Sequence, residues 1–363
     1  MNSSTVPGIP RRAVDLDARG FCALTGRTDV TSVQIDDVEH GTSIRARISV
    51  VGSPDLPRRA FVKLAPIRPA ERLLNRYMAL AHTEAGIYRR LNTELDGIIP
   101  KVFGTQSDPN DGRAIVIMED LTDRNARFLS VAAGCTAADA LAVAATLGSL
   151  HRRFWMSDRL RTGDLIDLSP ALSRSTSRGP RSWPLLRMIP RRFHDVVPAE
   201  FRAQASILVK QRWLVAKLVG TYPHTLIHGD THAGNICVID DRPVLFDWQV
   251  AACGPVVKDL SYFACTSIDT DTRRDTDERL VETYIGELNA DGIERLSLAE
   301  AWDAYRMFAF TAYVAAGVTS VFGRRLQGEE TTRAGLNRSV QAVRDFDSFA
   351  MLRNKIASLT ISR

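Results

Sequence analysis

The segment 227–249, IHGDTHAGNICVIDDRPVLFDWQ, constrains this chain more than any other stretch. A short apolar run, Thr225–Ile227, leads into His228-x-Asp230-x-x-x-x-Asn235. A second, Val244–Phe246, leads into Asp247. Both runs read as short strands, which puts the polar residues on the loops that leave them. Phosphoryl transfer from a nucleotide needs a carboxylate facing the acceptor hydroxyl. It also needs an amide oxygen and a second carboxylate holding Mg²⁺ against the phosphates. Asp230, Asn235 and Asp247 supply that set in that order.

Two other readings of the segment stay open. One is a chance loop of polar residues. The other is a metal-dependent phosphoesterase, because His224, His228 and His232 fall at four-residue spacing around Gly229-Asp230. A dinuclear hydrolase needs several more His and Asp ligands. His232 is the last of the seven histidines, so no later one completes such a site.

The rest of the chain bounds the setting. At 363 residues it is long enough to split into two domains. The net charge of +5 fits a protein that binds a nucleotide and is too small to argue for nucleic acid. The five cysteines are odd in number and none stand at CxxC spacing. That pattern argues against a disulfide framework or a structural zinc site and fits a reducing, cytoplasmic setting. No apolar run near the start reads as a signal peptide, and residues 1–13 read as a loose tail. The apolar stretch Phe308–Phe322 is too short to span a bilayer and reads as a buried helix.

The pattern predicts a short helix over Val14–Leu24 and a hairpin from Thr31–Glu39 and Ser43–Val51. A third strand follows at Arg59–Leu64, with Lys63 near its end. One helix is expected over Ala70–Asn92, from Leu73, Leu74, Tyr77, Leu80, Ala81, Ile87, Tyr88 and Leu91 at helical spacing. Ala114–Met118 is a further strand. Beyond it the pattern turns helical, from a capped start at Thr136 to about Trp155, then over 273–290, 298–322 and 331–356. Strands followed by helices make an α+β protein.

On these motifs the chain resembles the aminoglycoside phosphotransferase and choline kinase superfamily, nearest to its ecdysteroid-kinase-like branch. In that superfamily HxDxxxxN is the catalytic loop, and a second Asp, here Asp247 followed by Trp248 and Gln249, takes the place of the kinase DFG aspartate. The resemblance implies a bilobal protein-kinase-like fold. A small β-rich nucleotide-binding lobe (1–118) and a hinge (119–122) would precede a larger, mainly helical catalytic and acceptor-binding lobe (123–363). It implies Asp230 as catalytic base, and Asn235 and Asp247 as Mg²⁺ ligands. Lys63 in RAFVKLAP becomes the lysine that reaches the phosphates of ATP, and Glu84 in TEAGIYRRL becomes its partner. Glu119 and Leu121 in IVIMEDL become backbone readers of adenine, with Met118 beneath. Thr42 and Ser43, in a turn with only one glycine, become contacts to the phosphates. Asp259, in the Pro255-x-x-Lys-Asp-Leu stretch, is expected to tie the loop to a helix. His151 in LHRRFW is expected to pack rather than ligate.

The partners implied are ATP and a small hydroxyl-bearing acceptor, with no nucleic acid and no membrane span. The Arg-rich stretch 158–198, with Trp183, reads as a solvated loop or an acceptor-side insertion. It has no acidic cluster. That absence, with the aromatic helix Trp302, Tyr305, Phe308 and Tyr313, favours a neutral or apolar acceptor over a polycation. A pseudokinase that binds nucleotide without turnover is the remaining alternative. Intact Lys63, Asp230, Asn235 and Asp247 argue against it.

Overall fold

The computed structural model describes residues 8–166, 186–322 and 328–361. They divide into two compact units. The first holds 8–126 and 244–251, and the second holds 127–166, 186–243, 252–322 and 328–361.

Strand alternation decides the core of the first unit. A helix, α1 (Ala18–Thr25), precedes five strands: β1 (Val30–His40), β2 (Ile44–Gly52), β3 (Arg59–Leu64), β4 (Val102–Asp108) and β5 (Arg113–Glu119). They form one antiparallel sheet in the order β1-β2-β3-β5-β4. Ile44, Ala46, Ile48 and Val50 alternate along β2, and Ala60, Val62 and Leu64 along β3. These side chains meet Leu16, Phe21, Ile115 and Ile117 on one face of the sheet. Lys63, between Val62 and Leu64, therefore points to the other face.

That other face is covered by a helix, but not by the single helix expected over 70–92. The structure breaks it into α2 (Pro69–Met78) and α3 (Leu80–Leu91), with Ala79 in the left-handed region at φ 56°. Buried Asn75 holds the break. Its Oδ1 accepts from Ala81 N at 2.9 Å, and its Nδ2 donates to Gly112 O at 2.9 Å. The apolar side chains that suggested a continuous stripe are split accordingly. Ile87, Tyr88 and Leu91 are buried, whereas Leu73, Leu74 and Tyr77 are exposed. Removing both Asn75 bonds leaves a buried N–H and a carbonyl without partners. Asn75→Ala should therefore lower stability by about 2 kcal/mol, read as a drop in urea midpoint at unchanged slope.

The second unit is mainly helical. After β6 (Arg127–Phe128) come α4 (Ala137–Arg153), α5 (Ile189–Arg192), α6 (Phe201–Lys210) and α7 (Arg212–Val219). Then follow β7 (His224–Ile227), β8 (Ile236–Ile239), β9 (Arg242–Leu245) and β10 (Ala252–Pro255), of which β9 crosses from one unit to the other. The chain ends in α8 (Lys258–Ser267), α9 (Thr270–Leu288), α10 (Leu298–Phe322), α11 (Glu329–Asp345) and α12 (Ser348–Ile361). The one helix expected over 331–356 is thus two, parted at Asp347 with φ 49°. Thr136 caps α4 by accepting from Asp139 N at 3.1 Å. Gly148 lets α4 approach α9 closely, since a Cβ there would lie 2.4 Å from Tyr284 O. Among the described residues no helix is long and apolar enough to cross a membrane.

Candidate active site

The first unit brings together three residues far apart in sequence. Lys63 Nζ lies 2.9 Å from the Glu84 carboxylate and 2.9 Å from Asp247 Oδ1. Lys63 is 7% exposed and Glu84 2%. Burial works against the ammonium, but Asp247 and Glu84 outweigh it and raise the Lys63 pKa above its ordinary value. One ammonium faces two carboxyl groups, and burial raises the Glu84 pKa above its ordinary value against the pull of Lys63. Gln249 Nε2 is 3.5 Å from Glu84 Oε2. Asp247 itself stands at φ 66°, a conformation Asp tolerates better than most residues. The loop carrying it is anchored by fully buried Trp248, whose Nε1 donates to Leu245 O at 3.0 Å.

Ser43, after the β1–β2 turn, lines a cavity of about 10 Å³ together with Lys63, Glu84, Val116 and Gln249. Such a space holds about one water. The Ser43 hydroxyl is buried with no hydrogen-bond partner. Thr42 is half-buried in the turn itself. At the end of β5 the Glu119 N–H is spent on Lys101 O at 2.9 Å, and its carboxylate accepts from Lys101 N at 2.7 Å. Only the Glu119 carbonyl is therefore left for a ligand contact there. Leu121 opens a 3₁₀ turn, so its N–H has no partner within the turn. Asp120 between them is buried and structural. It caps Thr122 and pairs with Arg59 at 3.2 Å and Arg47 at 3.4 Å.

In the second unit the loop after β7 is held from below by Asp259. Its carboxylate accepts from His228 N at 2.6 Å and Gly229 N at 3.1 Å, and its carbonyl accepts from Thr231 Oγ1 at 2.9 Å. Gly229 supplies the positive φ, 85°, that the turn requires. Asp259 thus ties loop to helix, as the sequence implies. His151 is buried, with Nδ1 2.8 Å from Tyr284 Oη and Nε2 3.7 Å from Asp259 Oδ2, so it packs and does not ligate.

Asp230 sits on top of this scaffold with its side chain 40% exposed. Asn235 Nδ2 donates to Asp230 O at 2.9 Å and approaches Oδ2 at 3.3 Å. Both of those atoms are acceptors, so the amide nitrogen must face them and the amide oxygen is turned away. His232 accepts from Gly234 N through Nδ1 at 3.0 Å, which leaves its proton on Nε2, 3.5 Å from Asp230 Oδ2. Tyr262 donates its hydroxyl to Asp230 Oδ1 at 2.7 Å. Burial pushes the Asp230 pKa up, but His232, Tyr262 and His228 outweigh it and hold the carboxyl well below the usual range. Burial and the Asp230 charge raise the Tyr262 pKa well above a free phenol's, so it remains a proton donor.

Several expectations change here. His228 and His232 spend their Nδ1 atoms on loop N–H groups, and the described residues contain no cluster of three or more His, Cys, Asp or Glu able to hold a metal. The arrangement does not fit a dinuclear hydrolase. The aromatic helix is core. Tyr305, Phe308 and Tyr313 are fully buried, Tyr305 donates to Asp277 at 2.6 Å, and Trp302 stacks on Tyr305 at 5.7 Å. It therefore gives no argument about the acceptor. Arg174, Arg178, Arg181 and Trp183 lie outside the described residues, while Arg159 pairs with Asp164 and Arg161 with Asp158.

Sequence reasoning named His232 only as a candidate metal ligand, and it missed Tyr262 and Lys258 beside Asp230. The only signal was the spacing of Lys258 and Tyr262, one helical turn apart on α8 beside Asp259.

The profile of the phosphotransferase enzyme family matches residues 45–308. No curated protein sequence matches the chain. Among solved structures, a choline kinase from Cryptosporidium parvum Iowa II is similar, with 12% identity, 91% of each chain covered and a TM-score of 0.51. A choline/ethanolamine kinase family protein from Mesorhizobium loti has 12% identity and a TM-score of 0.47, covering 89% of this chain and 92% of that one. At such identity the likeness is one of fold, and the fold is the α+β kinase-like one.

Proposed function

We propose, because this chain belongs to the phosphotransferase enzyme family, that it moves the γ-phosphoryl group of ATP to a hydroxyl of a small molecule with Mg²⁺. The observation that carries this reading is the buried meeting of Lys63, Glu84 and Asp247 in one unit. A lysine held by a glutamate from a helix is pre-oriented for phosphate oxygens. Ser43, whose buried hydroxyl has no partner, and Thr42 contact the phosphates from the β1–β2 turn. The Glu119 carbonyl and the Leu121 N–H read the adenine edge within a hinge at 119–122.

The residues present fit a hard cation. Asn235 has its amide oxygen turned away from Asp230, and Asp247 offers a carboxylate oxygen beside Lys63. Asn235 and Asp247 would be the residues to hold Mg²⁺, which when bound would supply charge neutralisation on the phosphates. Asp230 acts on the acceptor. Its depressed pKa keeps it ionised at working pH and makes it a weak base. That suits a loose transition state, in which the carboxylate mainly orients the hydroxyl and takes its proton late. All five cysteines are free, which supports a cytoplasmic location.

The acceptor is neutral or apolar rather than polycationic. Near Asp230 stand His228, His232 and half-buried Lys258, while Asp259 is buried and spent on the loop. A polycation would meet no second available carboxylate among them. The test is Mg²⁺-dependent transfer from radiolabelled ATP to a panel of sugars, amino alcohols, sterols and aminoglycosides. Labelled product from a neutral alcohol is expected. Transfer to aminoglycosides alone would overturn the acceptor class, and nucleotide binding without any transfer would overturn the enzyme.

A further inference from the structure

The Asp230 carboxylate is held from two sides. Tyr262 Oη donates to Oδ1 at 2.7 Å. On the other side Oδ2 meets Asn235 Nδ2 at 3.3 Å and lies 3.5 Å from His232 Nε2. Tyr262 is only 7% exposed and sits on α8, whose residue Asp259 carries the loop backbone. The Tyr262 hydroxyl is therefore fixed relative to the backbone on which Asp230 is mounted. The carboxylate keeps its outward exposure while its rotation about the Cβ–Cγ bond is restrained.

Resting on the phosphotransferase reading above, we infer that Tyr262 is a positioning residue, whose hydroxyl sets the orientation in which Asp230 meets the acceptor. Without that donor, only contacts on the Oδ2 side restrain the carboxylate, and it is free to turn toward Asn235 and His232. An attacking hydroxyl is then lined up in a smaller fraction of encounters, and misorientation of a reacting group lowers rate more than binding. The Tyr262–Asp230 bond involves none of Lys63, Glu84 and Asp247, so its loss should leave ATP binding in place.

The inference is tested with Tyr262→Phe, Asp230→Asn and the double variant in the full chain. Tyr262→Phe removes one oxygen and keeps the ring that packs. The readout is Mg²⁺-dependent phosphate release from ATP, with water as acceptor, as kcat and KM for ATP. Loss of a hydrogen bond to a charged group predicts a kcat lowered about tenfold or more, with KM for ATP within about twofold. In the Asp230→Asn background the same change should alter kcat by less than about twofold, since the two groups act as one unit. An equal loss in both backgrounds means that Tyr262 only packs, and overturns the inference. Full activity of Tyr262→Phe beside a slow Asp230→Asn also overturns it, and leaves the base in place. Wild-type turnover by Asp230→Asn, or no turnover by the wild type, overturns the underlying reading and this inference with it.

Discussion

Asp230→Asn should leave Mg²⁺·ATP binding almost unchanged and cut turnover by at least about 10²-fold, the scale for loss of a positioned general base. The substitution keeps the shape of the side chain and an oxygen for Tyr262 to donate to, but it cannot take the acceptor's proton. Asp247→Asn should fail differently. It removes a charged oxygen from the cluster around Lys63, and a hard cation loses a charged ligand. ATP affinity at high Mg²⁺ should fall together with turnover, and Asn235→Ala should resemble it more mildly. Calorimetry of ATP binding at several Mg²⁺ concentrations, beside single-turnover rates, separates the two. Loss of Mg²⁺-dependent ATP binding in Asp230→Asn, with binding intact in Asp247→Asn, would mean that the two roles are exchanged.

Lys63→Ala should lower stability by about 3 kcal/mol or more, at the lower end for removing one partner of a buried ion pair. Sequence alone argues the opposite, because a lysine ending a strand adds little to a core. Here Lys63 is buried against both Glu84 and Asp247, and its removal leaves the 2% exposed Glu84 carboxyl, whose pKa burial already raises, either charged without its cation or forced to take up a proton. The loss is large against a total stability of about 5–15 kcal/mol. It should appear as a lower denaturant midpoint without nucleotide. Adding Glu84→Gln to Lys63→Ala should recover part of it, since no carboxyl is then stranded in the core. Equal midpoints for Lys63→Ala and the wild type would show that the cluster contributes no stability. Turnover should fall in the same variant, and the two losses are separable by measuring activity well below the unfolding midpoint.

Part of this molecule is legible in the sequence because it is local. The loop after β7 is fixed by a few consecutive residues, with Gly229 at the turn and Asn235 reaching back to Asp230 five positions away. The side of the sheet on which Lys63 lies follows from a period of two between Val62 and Leu64. Such features depend on neighbours in the chain, and spacing reports them. β4 was not legible because every residue along it is half-buried, so no alternation marks it. The break at Ala79 was not legible because an alanine there has no local reason to turn left-handed. Buried Asn75, bonded to Ala81 and Gly112, imposes it. The same holds for Tyr262 on Asp230, and for Asp247 on Lys63, 184 residues earlier in the numbering. A phenol on a helix and a carboxylate after a strand carry no mark of what they will meet. What the residues alone carried was the loop from His228 to Asn235, the strand that ends near Lys63 and the α+β order of elements, because those rest on periodicity and turn chemistry. The packing of distant segments settles which charges are buried together and which hydroxyl bonds to Asp230, and no local pattern reports either.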